Sequence, residues 1–229
     1  MNGTDASRAP DRLAEPNPGL PRARHPLLSF LMARNTAWIV GTVLLGALAS
    51  ATIGAMTFAV GGSVPVPLPF AVVMPTLLAC AVATWATSGV PATDRGAVRR
   101  LAWWTLAHRL GCSGFAALAL WLSTPEVVAD FGGGDAAAVL LALTGLAWVL
   151  QLVLPAPLAV LPVMLVAVPG FVGLYTPATG GDTALVNGLL GWLVGQDPWG
   201  HAWLTSLVLF GAGLAASFAR RGVPRPARW

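Results

Sequence analysis

The sequence predicts an all-α, polytopic membrane protein with six transmembrane helices. Only 10% of its residues are charged, whereas an average soluble domain carries about 25%. The hydrophobic share is 56% and the mean hydropathy is +0.72. Several charge-free runs are also long enough to cross a bilayer, whose hydrocarbon core of about 30 Å requires about 20 helical residues. These features exclude a water-soluble globule, a disordered chain and a nucleic-acid-binding domain, although the pI is near 10.4.

Prolines and glycines divide the apolar runs into separate spans. Residues 35–93 contain no Asp, Glu, Lys or Arg, and the turn-forming stretch 61–69 breaks this run in two. A second charge-free run, 136–181, is broken at the prolines of 155–157. The predicted spans are 36–60, 70–90, 101–122, 136–154, 158–175 and 201–219.

A short apolar segment at 183–195 precedes the last span. As a helix it would extend roughly 20 Å, which is too short to cross the bilayer comfortably. We therefore predict a re-entrant or interfacial helix on the outer side, between spans five and six. Asn187 lies within this segment, and Gln196 and Asp197 follow it. These three polar residues are candidates to cap the segment or to line a polar mouth.

The distribution of charge predicts the orientation. All 13 basic residues are arginines, and six spans with an inner amino terminus place every one on the same side. The loops on the opposite side hold acidic residues and no arginine: Glu126, Asp130, Asp135, Asp182 and Asp197. Because cytoplasmic loops are enriched in basic residues, the sequence predicts a multi-pass protein of the cell membrane with both termini in the cytoplasm.

Two regions are expected along the chain. Residues 1–24 are rich in proline, arginine and small polar residues and predict a disordered cytoplasmic tail. Residues 25–229 form the transmembrane domain. At its start, 25–34 predict a short interfacial helix, with juxtamembrane coil as the alternative.

His108 and Arg109 are the only ionisable residues well inside a predicted span. An ionisable residue within the membrane is a functional hypothesis by default. The alternative interpretation, which we favour, is that Arg109 extends towards the inner interface or that the span begins later.

Gly111, Ser113 and Gly114 match the GxSG pattern of rhomboid intramembrane proteases, for which His201 would be the base. Ser113 is expected in the inner half of its span and His201 at the outer face, so packing of small residues is the preferred interpretation.

We predict no catalytic residues, no metal site and no bound cofactor. No phosphate-binding loop occurs, so any ATP must be hydrolysed by another protein.

The segment between spans two and three carries Asp94, Arg95, Arg99 and Arg100 and has helical character. With the amino-terminal interfacial helix, the six spans and the short outer segment, this layout resembles the membrane subunits of ABC-2-type ABC transporters. The resemblance implies that residues 93–100 form a coupling helix that docks on a separate ATP-binding subunit. It also implies a second permease copy or a paralogue, and export of a hydrophobic or amphipathic substrate without covalent chemistry in this chain.

Two other classes remain open from the sequence. A non-catalytic membrane scaffold or assembly subunit would fit the lack of a polar cluster at mid-membrane. A small ion-coupled carrier would fit three spans followed by three in the opposite orientation, although no sequence symmetry supports it.

Overall fold

The computed structural model describes residues 30–32, 34–60, 66–86, 100–124, 126, 131–173 and 201–219. These residues form six helices and one two-stranded hairpin, with a helical turn at 30–32. The elements are α1 (Thr36–Ile53), β1 (Thr57–Val60), β2 (Val66–Pro69), α2 (Phe70–Trp85), α3 (Arg100–Ser123), α4 (Gly133–Leu150), α5 (Ala156–Gly173) and α6 (Ala202–Ala219).

The predicted helical class is confirmed, and each helix begins within three residues of a predicted span. The first predicted span, 36–60, is wrong at its end because α1 stops at Ile53 and residues 57–60 form a strand. Prolines at 65, 67 and 69 exclude a helix in the partner strand, and an antiparallel pairing takes its place. The hairpin is therefore the one departure from an all-α fold among the described elements.

The hairpin connects α1 to α2. Thr57 pairs with Pro69 and Val60 with Val66. Below the strands, the amide of Ala71 donates to the carbonyl of Gly54 at 3.0 Å. This bond holds the end of α1 beside the start of α2, so the two helices run antiparallel.

Contacts at both ends fix the directions of the other helices. Hydrogen bonds join Thr36 to His108 and Ser50 to Thr124, so α1 and α3 are parallel. The start of α6 meets the end of α3, where the rings of Trp121 and Trp203 lie 6.0 Å apart, so these two helices are antiparallel.

The described charges separate towards the two ends of this bundle. We call the end with Arg34 and Arg109 the basic end; there α1 and α3 begin and α2, α4 and α6 end. The other end, with the hairpin, Glu126 and Asp135, is the hairpin end. The Asp135 carboxylate there accepts a hydrogen bond from the amide of Gly132 at 3.0 Å and so caps the start of α4.

Helix α4 occupies the centre of the fold and contacts α2, α3, α5 and α6. Its most extensive contact is with α6, where two glycines let the backbones approach closely. A Cβ built on Gly145 would lie 2.5 Å from the Cα of Phe210, and one built on Gly213 would lie 2.7 Å from the Cα of Gly145. Since real Cβ atoms do not approach this closely, the crossing requires glycine on both helices.

Within the part of the chain that the structure describes, two helices, α1 and α4, are long and apolar enough to cross a membrane by length and composition. Both have a mean hydropathy of 1.7 over 18 residues, but 28% of α1 is buried against 61% of α4. Large apolar side chains on α1 therefore face away from the rest of the protein, among them Leu44, Leu45 and Leu48.

Candidate functional site

The sequence assigns candidate roles to a coupling segment, an outer segment and an ionisable pair inside a span, and the structure describes three of these residues. His108 and Arg109 lie on α3, and Arg100 is the first residue of that helix. The other predicted residues of the coupling segment and of the outer segment lie outside the described residues: Asp94, Arg95, Arg99, Asn187, Gln196 and Asp197. The described geometry at the basic end thus centres on α3.

His108 faces α1. Its Nε2 lies 2.9 Å from the hydroxyl oxygen of Thr36 and 3.5 Å from the sulfur of Cys112. The Thr36 hydroxyl donates its one proton to the carbonyl of Leu31 at 2.8 Å. Nε2–H of His108 is therefore the donor to Thr36, because a hydroxyl has a single proton to give. This assignment places a proton on Nε2 of His108.

Phe30 connects this contact to the arginine at the start of α1. The Phe30 ring meets the His108 ring edge-on at 6.1 Å and the Trp104 ring at 5.9 Å. The guanidinium of Arg34 lies over the Phe30 ring, 4.9 Å from the centroid of that ring. Arg34 is buried despite its charge, and Asn35 beside it adopts a left-handed conformation with φ of 55° that turns the chain into α1.

An open groove of about 340 Å³ runs along this α1–α3 contact. Its apolar walls come from both helices and from the turn that precedes α1. Gly111 lies in the wall, and a Cβ built there would meet nothing within 4 Å. The groove is lined by Phe30, Leu31, Thr36, Ile39, Val40, Trp104, Ala107, His108, Gly111, Cys112 and Phe115.

Arg109 faces a different side of α3. Its guanidinium lies over the ring of Trp148 on α4, 4.9 Å from the ring centroid, and donates to the hydroxyl of Ser217 on α6. Ser217 in turn donates to the carbonyl of Gly213 at 2.7 Å. Arg109 therefore connects α3 to both α4 and α6 close to their carboxyl ends.

Neighbouring ionisable residues thus serve two different helix contacts. Successive helical residues point about 100° apart, so His108 reaches α1 while Arg109 reaches α4 and α6. Sequence reasoning selected this pair but missed the partners Thr36, Trp148 and Ser217. No sequence pattern marks these three, because they come from helices that lie far from α3 along the chain.

Ser113 and His201 do not form a dyad. Ser113 precedes Trp121 by eight residues, which is about 12 Å along α3, and the start of α6 lies beside Trp121. Among the described residues the Ser113 hydroxyl, which is fully buried, has no hydrogen-bond partner. The described geometry therefore offers no activated serine.

Other reactive groups are sparse in the described part of the chain. Both cysteines, Cys80 and Cys112, are buried free thiols. The described ranges contain no group of three or more His, Cys, Asp or Glu side chains that could hold a metal ion.

Comparison with protein-family models, with curated proteins and with solved structures finds no match to this chain.

Proposed function

We propose that this chain is an integral membrane protein with six spans and that it serves as the permease subunit of a transporter whose ATP is hydrolysed by a separate subunit. The outward-facing side chains of α1 support its placement in a membrane. Leu44, Leu45 and Leu48 are 54%, 67% and 60% exposed. Exposure of this apolar surface to water is unfavourable, whereas lipid chains would cover it.

The proposed orientation has both termini in the cytoplasm. It is supported by the described charges, since Arg34 and Arg109 lie at the basic end and Glu126 and Asp135 at the hairpin end. The positive-inside rule assigns the basic end to the cytoplasmic face. The alternating helix directions are those expected for successive membrane crossings.

Helix α3 supports a role in coupling. The proposed coupling segment, 93–100, leads directly into this helix of 24 residues, whose side chains contact α1, α4 and α6. When ATP binding closes the partner ATPase, a push on the segment would therefore tilt α3 as a rigid rod. The contacts at His108 and Arg109 would pass this motion to helices on both sides.

The apolar groove between α1 and α3 supports a hydrophobic or amphipathic cargo. Its walls are apolar apart from a few polar groups, and it lies beside the helix that the coupling segment would move. A second copy of the chain, or a paralogue, would complete the pathway in this proposal. The chain itself performs no covalent chemistry and carries no cofactor.

Purification of the tagged chain from its native membrane in mild detergent tests the proposal. We expect an ATP-binding protein to co-purify stoichiometrically and the complex to hydrolyse ATP. The double variant Arg99→Ala/Arg100→Ala should lose this partner. The matched control is Arg220→Ala/Arg221→Ala, which removes two arginines from the same proposed face and should retain it.

A chain that purifies alone, or that transports in liposomes without nucleotide, would contradict an ATPase-coupled permease.

A non-catalytic scaffold is the second candidate. It is favoured by one observation: in the described helices the one carboxylate is Asp135, in the first turn of α4. An ion-coupled carrier would need ionisable groups at mid-membrane.

A further inference from the structure

The groove between α1 and α3 has a buried floor and an open rim. Ile39, His108 and Cys112 form the floor and are all buried. Trp104 and Phe115 stand on the rim, where they are 48% and 37% exposed. All of its lining residues come from α1, α3 and the turn before α1. The groove therefore opens towards the surroundings of these two helices and not towards another described helix.

The groove is long and narrow. Its lining on α3 runs from Trp104 to Phe115, and this distance is about 16 Å along a helix. A helical peptide of that length, about 10 Å across, would occupy roughly 1,200 Å³. The groove holds about 340 Å³, which is too little for a helix. An extended peptide would also leave its backbone groups without partners against these apolar walls.

A single hydrocarbon chain fits these dimensions. An extended chain advances about 1.2 Å per bond, as an extended peptide backbone does, so about a dozen carbons would span the groove. Small residues on α3 leave room for it, since Ala107 and Gly111 lie one turn apart in the wall and are both exposed. The Thr36 hydroxyl and His108 Nε2 bond each other at 2.9 Å, so this pair needs no polar group from an occupant.

Positive charge lies at one end of the groove. Phe30 forms part of the wall at the basic end, and the guanidinium of Arg34 lies 4.9 Å from the centroid of the Phe30 ring. Both described carboxylates, Glu126 and Asp135, lie at the other end of the bundle. A lipid chain that enters the groove from the basic end would leave its headgroup there, and arginines near a membrane surface attract anionic headgroups.

We propose that the groove holds one acyl chain of an anionic phospholipid of the cytoplasmic leaflet, with the headgroup at the basic end. Lipid chains are as apolar as leucine, so the acyl chain supplies the fit and the headgroup charge supplies the preference. This inference rests on the membrane placement in the proposed function, and it names the amphipathic molecule that the groove takes.

Photocrosslinking of the full-length chain in phosphatidylcholine nanodiscs tests the site. Two probes carry the same diazirine-labelled acyl chain, one on phosphatidylglycerol and the other on phosphatidylcholine. We expect adducts of the phosphatidylglycerol probe to map to peptides that contain residues 30–40 and 104–115. The phosphatidylcholine probe should label these peptides about fivefold less, because it lacks the net negative charge.

A variant that fills the groove assigns the labelling to these walls. Gly111→Leu adds a side chain to the wall, and it should preserve the fold because a Cβ there meets nothing within 4 Å. We expect it to lower groove labelling about tenfold by overfilling the site. Ala107→Leu fills the same wall one turn nearer the basic end and should act in the same direction.

The matched control is Gly211→Leu on α6. Gly211 is also exposed, and a Cβ there meets nothing within 4 Å, but Gly211 does not line the groove. This variant should be labelled as strongly as the wild type. Monodisperse elution of all three variants shows that the comparison is made between folded proteins.

Equal labelling by the two probes, or adducts confined to other peptides, would overturn the inference. Unchanged labelling of both Gly111→Leu and Ala107→Leu would overturn it as well. These failures differ from failure of the permease proposal. If an ATPase co-purifies but the groove is not labelled, the lipid site is wrong; if the groove is labelled but the chain purifies without an ATPase, the permease assignment is wrong.

Discussion

Helices α1 and α4 have the same length and the same mean hydropathy, yet they occupy opposite kinds of position. Helix α4 lies at the centre, where α2, α3, α5 and α6 cover it. Helix α1 contacts α2 and α3 and leaves most of its surface outside the fold. The equal hydropathy therefore has two different causes. The apolar side chains of α4 pack against other helices, whereas those of α1 face an apolar environment outside the described fold.

The difference shows which helix informs us about the environment. A buried helix is apolar in any protein, so the composition of α4 is explained by its neighbours. The exposed leucines of α1 have no such explanation within the described fold. The membrane proposal consequently rests more on α1 than on α4.

The largest expected effect breaks the close packing of α4. Gly145→Leu would drive a side chain into the backbone of α6 at Phe210, where even a Cβ would lie 2.5 Å from the Cα. We expect a loss of more than about 3 kcal/mol and little folded protein, measured as the monodisperse yield in detergent. Gly41→Leu on α1 is the control, because a Cβ there meets nothing within 4 Å and the yield should stay near that of the wild type.

The next prediction asks what covers α1. Leu45 is 67% exposed, so Leu45→Arg would be nearly neutral in water. In a membrane the same change at the centre of a helix should cost about 2.5–3.5 kcal/mol of insertion free energy. The measurement is the inserted fraction of α1 in a glycosylation reporter. Met32→Arg, at a 74% exposed position before the helix, should insert normally. Equal insertion of both variants would remove the main support for the membrane proposal.

A smaller effect concerns the attachment of α1 to α3. Thr36→Val removes the acceptor of His108 Nε2–H and the donor to Leu31, leaving a buried group unpaired. We expect a loss of about 1–3 kcal/mol, measured as a lower melting temperature. Thr52→Val makes the same change on the same helix at an exposed hydroxyl that bonds only its own helix, and it should have little effect. If the two variants melted alike, the Thr36–His108 bond would contribute nothing to the attachment.

The last prediction involves the smallest change in stability. It tests whether α1 and α4 begin on opposite sides of the membrane. Met32 precedes α1 at the basic end, and Glu126 precedes α4 at the hairpin end. With Met32→Cys and Glu126→Cys, an impermeant thiol reagent added to intact cells should label only the second variant. The native Cys80 and Cys112 are 7% exposed each and should contribute little background. Labelling of the Met32→Cys variant from outside would reverse the proposed orientation.

Much of the fold could be predicted because helix ends follow local chemistry. Charged residues and prolines interrupt the apolar runs, and the observed helices begin within three residues of the predicted starts. The hairpin was missed because the strand 57–60 continues an apolar run without any charge. Its strand character depends on pairing with the proline-containing segment 66–69, which is a non-local contact.

For the candidate site, the sequence indicated which residues to examine, and the fold supplied their partners. His108 and Arg109 stood out because ionisable groups are rare in apolar helices. Ser113 stood out as part of a GxSG pattern, but the structure buries its hydroxyl and gives it no hydrogen-bond partner among the described residues. A serine pattern on one helix cannot show which side chains of another helix face it.

By itself, the sequence determined that the chain is helical and strongly apolar, that its arginines cluster, and where its helices start. These properties follow from local composition and from residues that cannot continue a helix. The tertiary structure alone decided that α4 is central and α1 peripheral, that Gly145 meets Gly213, and that Arg109 reaches Trp148 and Ser217. The physical reason is that helices of equal hydropathy compete for the same core, and only the detailed fit of their side chains selects which one is enclosed.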